Sequence, residues 1–415
     1  MDQFNHFPPR ALPLYSPSPP SPRYSEDPAG DETRLEASPR LGARVTPRGI
    51  FTKAFGSTTV VLFGQALGAQ VASYGRQATA EGTLILEQDT RQISEIVVKL
   101  EGRLHIVTEE TGALRISTIE VSCPLWAQGP GAASSHCPER LDFACRFPAT
   151  FKHESREYPL PPSFASSFCG FPLLLVKCVY SLIVSITKER RLGFLPKTKI
   201  VHVPLEYHPL TFPPFTLPTP PRFLSAVKLM PEQWHQSSFV MHPRPSSKPK
   251  SRLAAIECQV FIPAVRTFGL RDTIPLHLQI CAPLASLRAL LPPGDGPISE
   301  GCSPVRVYLR RKVAFVGRGA PTTRVLRIGE AHVKLSNQPE CRLTPAGVQT
   351  LDWECAVRCG PAGTAVVGGF CAAGLVVTDE VVVELSPPRP AFASLLPVQH
   401  TLPIRLVTEA LFEPA

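Results

Sequence analysis

The sequence predicts an all-β protein: two tandem antiparallel β-sandwiches behind a disordered, proline-rich head. Three observations predict it. Proline supplies 47 of 415 residues (47/415 ≈ 11%), roughly twice the usual share. Each interior proline costs a helix roughly 3 kcal/mol, which excludes helical bundles, coiled coils and helical solenoids. Apolar and polar residues alternate with a period of two in many short windows, as half-buried strands require. These windows fall into two runs of roughly 150 residues, the size of an average domain, and a proline-rich stretch lies between them.

Residues 1–50 are rich in proline, serine and charge and carry no apolar periodicity. They read as a disordered tail. Six basic and six acidic residues cancel there, so the tail is no basic nucleic-acid arm.

Residues 51–205 read as the first sandwich. Strands are expected at Thr58–Phe63, Gly82–Glu87, Ile96–Gly102 with Gly102 as its end, Leu104–Val107 and Leu141–Phe147. Phe168–Ile186 is apolar enough to be mistaken for a membrane span. Its second half argues for a strand: Val176, Cys178, Tyr180, Leu182, Val184 and Ile186 alternate with Lys177, Val179, Ser181, Ile183, Ser185 and Thr187. Residues 206–250 are punctuated by proline, which fixes φ and removes donors. They read as an extended connector, with some order expected over Phe223–Trp234.

The second sandwich is expected over 251–408, and 409–415 is a short tail. Its strands include Ile256–Ile262 and Val381–Leu385. Ile274, Leu276, Leu278 and Ile280 alternate with Thr273, Pro275, His277 and Gln279, placing His277 on a polar face. Val305, Val307 and Leu309 alternate with Arg306, Tyr308 and Arg310. Leu402, Ile404 and Leu406 do the same with Pro403, Arg405 and Val407.

The chemistry of the chain points away from catalysis. No nucleophile elbow, phosphate-binding loop or metalloprotease array occurs. Gly75, Gly82, Gly102 and Gly112 are spaced like turns. Cys341, Cys355, Cys359 and Cys371 lack the tight pairs of a zinc site and read as small buried strand residues. No metal, cofactor or catalytic residue is expected. Twelve cysteines in 415 residues are too few for a disulfide scaffold. The first nine residues have no basic-then-apolar signal pattern. A cytosolic compartment with free thiols is therefore expected.

The net charge of +9 (43 basic minus 34 acidic) is compatible with phosphate contact without implying nucleic-acid binding. Residues 301–330 concentrate basic side chains. Arg306, Arg310, Arg311 and Lys312 are the candidates there for phosphate or anionic lipid, because arginine forks match phosphate geometry. Lys248, Lys250 and Arg252 form a smaller cluster. In the head, Leu12-Pro13-Leu14-Tyr15 fits L-P-x-Y, a relative of the P-P-x-Y ligand of WW domains. Leu12, Pro13 and Tyr15 are the candidate contacts, and Tyr24 in Ser21-Pro22-Arg23-Tyr24 is a weaker second site. Proline-rich chain is already close to polyproline II, so docking loses little entropy.

Several segments together resemble the arrestin family, specifically the fungal α-arrestin-like adaptors. Ser73–Arg76 with Gly82–Leu86 looks like that family's early strand pair, and Ile93–Gly102 like its next strand. Leu160-Pro161-Pro162-Ser163-Phe164 followed by Val176–Val184 is similar to the family's "LPPSF … V-x-Y-x-L-x-V" pattern. Val203–Pro209, Asp272–Leu278 and His400–Leu406 resemble later segments. The resemblance spans about 55–408. It implies an arrestin-type pair of immunoglobulin-like domains and a non-enzymatic scaffold. It implies linkage of membrane transporters or receptors to a WW-domain ubiquitin ligase of the HECT class, for ubiquitination and endocytosis. The implied location is cytoplasmic, recruited to plasma membrane or endosomes. A retromer-like trafficking scaffold without a ligase, or a phospholipid- or phosphate-binding module, are the alternative expectations. Family adaptors often carry their PY motifs behind the second domain, whereas here the good match lies at the front.

Overall fold

The computed structural model describes residues 49–87, 90–128, 136–189, 196–214, 227, 229–245, 253–291, 303–317, 319–335, 347–360, 367–387 and 394–408. The candidate WW contacts Leu12, Pro13, Tyr15 and Tyr24 lie outside the described residues, as do Cys341 and the Lys248–Arg252 cluster.

The first half folds as β1 (Gly49–Ala54), β2 (Thr58–Gln65), β3 (Ala72–Tyr74), β4 (Thr79–Leu86), β5 (Ile93–Thr108), β6 (Gly112–Ala127), β7 (Arg140–Arg146), β8 (Thr150–His153), β9 (Arg156–Pro159), β10 (Phe164–Phe168), β11 (Leu174–Lys188) and β12 (Lys197–Tyr207). One sheet runs β1-β2-β4-β7. The other runs β3-β12-β11-β5-β6, with β10 beside the start of β11. Inward residues of both sheets, such as Leu62 and Leu84 from one and Val98 and Leu182 from the other, share one core. The apolar run at 174–188 is a strand whose buried and half-exposed residues alternate, as the period of two predicts. Among the described residues no helix is long and apolar enough to cross a membrane.

Two details differ from expectation. Gly102 does not end a strand: β5 continues to Thr108, with a register shift between Gly102 and Arg103. The glycine is there for space, because a Cβ would lie 2.6 Å from a ring carbon of Tyr180 and 2.5 Å from Thr118 Oγ1. Gly82 also lies mid-strand rather than in a turn, where a Cβ would meet the Val61 carbonyl. Strands β3 and β4, read as a pair, belong to different sheets; β3 pairs β12 in parallel.

The second half folds as β13 (Trp234–Met241), β14 (Ile256–Pro263), β15 (Thr267–Gly269), β16 (Ile274–Pro283), a short helix α1 (Leu284–Leu290), β17 (Val305–Phe315), β18 (Thr322–Leu335), β19 (Val348–Cys359), β20 (Phe370–Ala372), β21 (Leu375–Leu385) and β22 (Val398–Val407). These strands form one ten-stranded sheet, ordered β13-β14-β16-β19-β18-β17-β21-β22-β15 with β20 beside β21. The sheet curls until β13 approaches β22. Ser237 and the His400 Nε2 are 2.8 Å apart, Phe239 stacks on the His400 ring, and Pro243 bridges Leu395.

Strand β13 lies inside the stretch read as connector. It pairs β14 over its whole length, because its prolines, Pro231 and Pro243, flank the strand and leave its donors intact. His277, expected on a polar face, is fully buried. Its Nε2 is 2.9 Å from Asp352 Oδ1, and the Phe261 ring covers it.

The two halves share a packed seam. Val313, Phe315, Ala372, Ala373, Leu375 and Val377 join the core of the first sandwich. Phe164 meets Phe370 edge-on at 5.4 Å. Arg324 donates to the Gly170 carbonyl at 2.6 Å, and Thr211 and Thr408 exchange hydrogen bonds.

Candidate functional site

The described surface carries a line of basic side chains built by strand register. Lys177 on β11 is the direct partner of His105 on β5. His105 is in turn the direct partner of Arg115 on β6. Their sequence neighbours Leu104, Ile106, Ile116, Val176 and Cys178 are buried. Alternation along each strand therefore puts Arg115, His105 and Lys177 together on the opposite, outward face. Side chains directly opposite each other across strands lie about 5 Å apart, and like charges there repel.

The nearby carboxylates are engaged elsewhere. Glu101 pairs with Arg103, and Glu120 with Lys99. No ion pair joins Arg115, His105 or Lys177 among the described residues. Partial burial is the first cause holding His105 below the usual histidine range; Arg115, Arg103 and Lys177 add to it. The ring is therefore neutral at pH 7, and an anion in the row would favour its charged form.

Beside the row runs an open groove of about 350 Å³, lined by His105, Val107, Ser166, Ser167, Leu175 and Lys177. It offers apolar wall, two hydroxyls, the His105 ring and the Lys177 cation. Lys177 also lines a second groove, of about 470 Å³, at the seam between the sandwiches. Phe164, Glu206, His208, Arg311 and Val367 share that second lining. The row therefore leads from the open face of the first sandwich to the seam.

The basic residues picked from sequence do not act together. Arg311 is 3% exposed. It forks onto Asp379 at 2.7 and 3.1 Å and donates to the Val367 carbonyl at 2.8 Å. Its Nε and Nη2 donors are committed to these partners in a buried site, so Arg311 serves first as half of a structural ion pair. Arg310 is held by Glu380. Arg306 and Lys312 are exposed on the other face of β17. The Arg327 guanidinium lies over the Tyr308 ring, 3.9 Å from its centre.

Arg115 and His105 went unnoticed in the sequence because 62 positions separate Arg115 from Lys177. Only the pairing β6-β5-β11 unites them. The available signal was a basic residue at the outward position of three alternating strands.

Among the described residues no group of three or more His, Cys, Asp or Glu side chains could hold a metal ion. Cys355 is buried on β19, Cys359 lies half-buried at its end, and Cys371 is exposed on β20.

No protein-family model matches the sequence, and no curated protein matches it. Among solved structures, squid arrestin superposes over 87% of this chain and 98% of its own, with a TM-score of 0.38 and 9% sequence identity.

Proposed function

We propose that this chain is a non-enzymatic adaptor of the α-arrestin-like kind, coupling membrane cargo to a WW-domain ubiquitin ligase of the HECT class. The observation that carries the reading is the unpaired row Arg115–His105–Lys177 beside an open groove. Acidic or phosphorylated cytosolic tails of transporters or receptors have the charge to occupy it. The ligase arm is the head: Leu12, Pro13 and Tyr15 dock one WW domain, and Tyr24 a second, adding avidity. The protein works from the cytoplasm, recruited peripherally to plasma membrane or endosomes.

Two binding measurements on the full chain test this. Tail peptides with and without phosphate are titrated first. Micromolar binding that strengthens with phosphate and weakens with salt is expected, and Arg115→Glu or Lys177→Glu abolishes it. WW domains of a HECT ligase are titrated second, with Tyr15→Ala removing most binding and Tyr24→Ala less. Tail binding without any WW binding would leave a retromer-like trafficking scaffold. Failure of both would end the adaptor reading.

A second reading rests on Arg306 and Lys312, which stay exposed on one face of β17. They suit anionic lipid headgroups. Liposome flotation at two salt concentrations tests it, because electrostatic membrane binding fades as salt rises.

A further inference from the structure

Strands β6 and β7 are the outer strands of the two sheets of the first sandwich, on the same open side. Cys123 on β6 and Cys145 on β7 meet there with their sulfurs 3.0 Å apart. Among the described residues no other two thiols are within hydrogen-bonding distance. We infer that Cys123 and Cys145 are an oxidisable pair that closes into a disulfide linking the two sheets.

Three features support the closure. A disulfide needs the sulfurs at about 2.05 Å, so about 1 Å of further approach suffices. Both strands are edges, paired on one side only, so each can shift without breaking a ladder on its outer flank. The two thiols also differ in reach. Cys123 is half-buried, whereas Cys145 is fully buried. Burial, and then the contact with Cys123, push the Cys145 thiol up to about 12. Cys145 is therefore a protonated, shielded thiol, and a small oxidant meets Cys123 first.

With a hydroperoxide as oxidant, Cys123 Sγ attacks the peroxide oxygen. The O–O bond breaks, one water leaves, and Cys123 becomes a sulfenic acid. Cys145 Sγ then attacks the Cys123 sulfur. The S–O bond breaks, and the departing hydroxide takes the Cys145 proton as a second water. Two thiols and one H₂O₂ give one disulfide and two waters. Thiols such as glutathione reverse it. The pair is a modification site, independent of the cargo and ligase contacts.

The full chain is oxidised with hydrogen peroxide, alkylated without reduction, digested and analysed by mass spectrometry. The expected product is a Cys123–Cys145 linked peptide, lighter by two hydrogens than the two reduced peptides and absent after dithiothreitol. The link closes a segment with a sequence separation of 22, so the unfolding midpoint should rise by roughly 5 °C on oxidation. Cys123→Ser, at a half-buried site, folds normally and shows neither link nor shift. Cys145→Ser removes the link as well. Two outcomes overturn the inference. One is free, alkylated Cys123 and Cys145 under conditions that oxidise exposed Cys169 and Cys371. The other is Cys123 linked to Cys137 instead.

Discussion

The two sandwiches manage their open sides differently. The second is one sheet curled on itself. Its ends meet through Ser237 and His400, the Phe239–His400 stack and the Pro243–Leu395 bridge. The first is two separate sheets whose outer strands, β6 and β7, meet through the sulfurs of Cys123 and Cys145. Exposed strand edges invite unwanted pairing. One half answers with backbone and ring contacts, the other with small side chains that leave the edge free to move. The closed half also holds the deeply buried ion pair, Arg311–Asp379, while the open half displays its cations to solvent.

That contrast predicts where charge removal hurts most. Asp379→Ala strands the Arg311 guanidinium in a 3%-exposed site. It should cost about 3–5 kcal/mol of stability, read as a lower urea midpoint. The double variant Arg311→Met, Asp379→Leu should recover most of the loss, since matched apolar residues often replace a buried pair without penalty. A small effect of Asp379→Ala would mean that the second sandwich does not depend on this pair.

In the first sandwich a tight steric point lies at Gly102. Gly102→Ala drives a methyl against the Tyr180 ring at 2.6 Å. Tyr180 packs on Phe147 and Tyr207 and donates to the Pro161 carbonyl, so it cannot swing away. A loss of about 1–3 kcal/mol is expected from such overpacking. A Cβ there also lies 2.5 Å from Thr118 Oγ1, so in a Tyr180→Leu, Thr118→Ala background the added alanine should be nearly neutral by the same denaturation measurement.

The closure of the second sandwich is sensitive to acid. Burial holds His400 below the usual histidine range. The unfolded chain therefore binds a proton more readily than the folded one. Stability is full above the unfolded pKa of about 6.5 and falls as pH drops from there through the lower folded value. Amide exchange across β13 and β22 should accelerate over that window before exchange across β5 and β11 does. His400→Phe, which keeps the stack on Phe239, should flatten the acid dependence.

How much was legible in the sequence follows from which forces are local. Alternation is local, and it gave β11 correctly against a membrane span. It also held information that a count of charges obscured. Val305, Val307 and Leu309 face inward, and the next odd position is Arg311. The same period that predicted the strand places that arginine in the core. The proline density of 206–250 masks strand β13, whose own eight residues contain no proline. Gly102 reads as punctuation in the sequence, yet its reason is Thr118 on the neighbouring strand and the Tyr180 ring 78 positions away. The basic row depends on register between β6, β5 and β11. Register is set by tertiary pairing, which no window of sequence contains.

The row itself gives the smallest effect on stability and the sharpest effect on binding. With the His105 ring neutral at pH 7 and Arg115 and Lys177 each opposite that ring rather than each other, the row carries little repulsion of its own. Lys177→Glu puts a carboxylate at an exposed site opposite the neutral His105 ring, so the variant should be about as stable as the parent. Its affinity for a phosphorylated tail should nevertheless collapse, because the added carboxylate both competes for Arg115 and His105 and repels the ligand. His105 reports the event directly. Partial burial, with Arg115, Arg103 and Lys177, lowers its pKa in the free protein, and a bound anion should raise it. Affinity must then rise as pH falls through the histidine range, since binding and protonation favour each other. Titration of the His105 ring by NMR, with and without phosphopeptide, measures both. If the His105 pKa is unmoved by a saturating anion, the ligand sits elsewhere and the row is only a basic surface face.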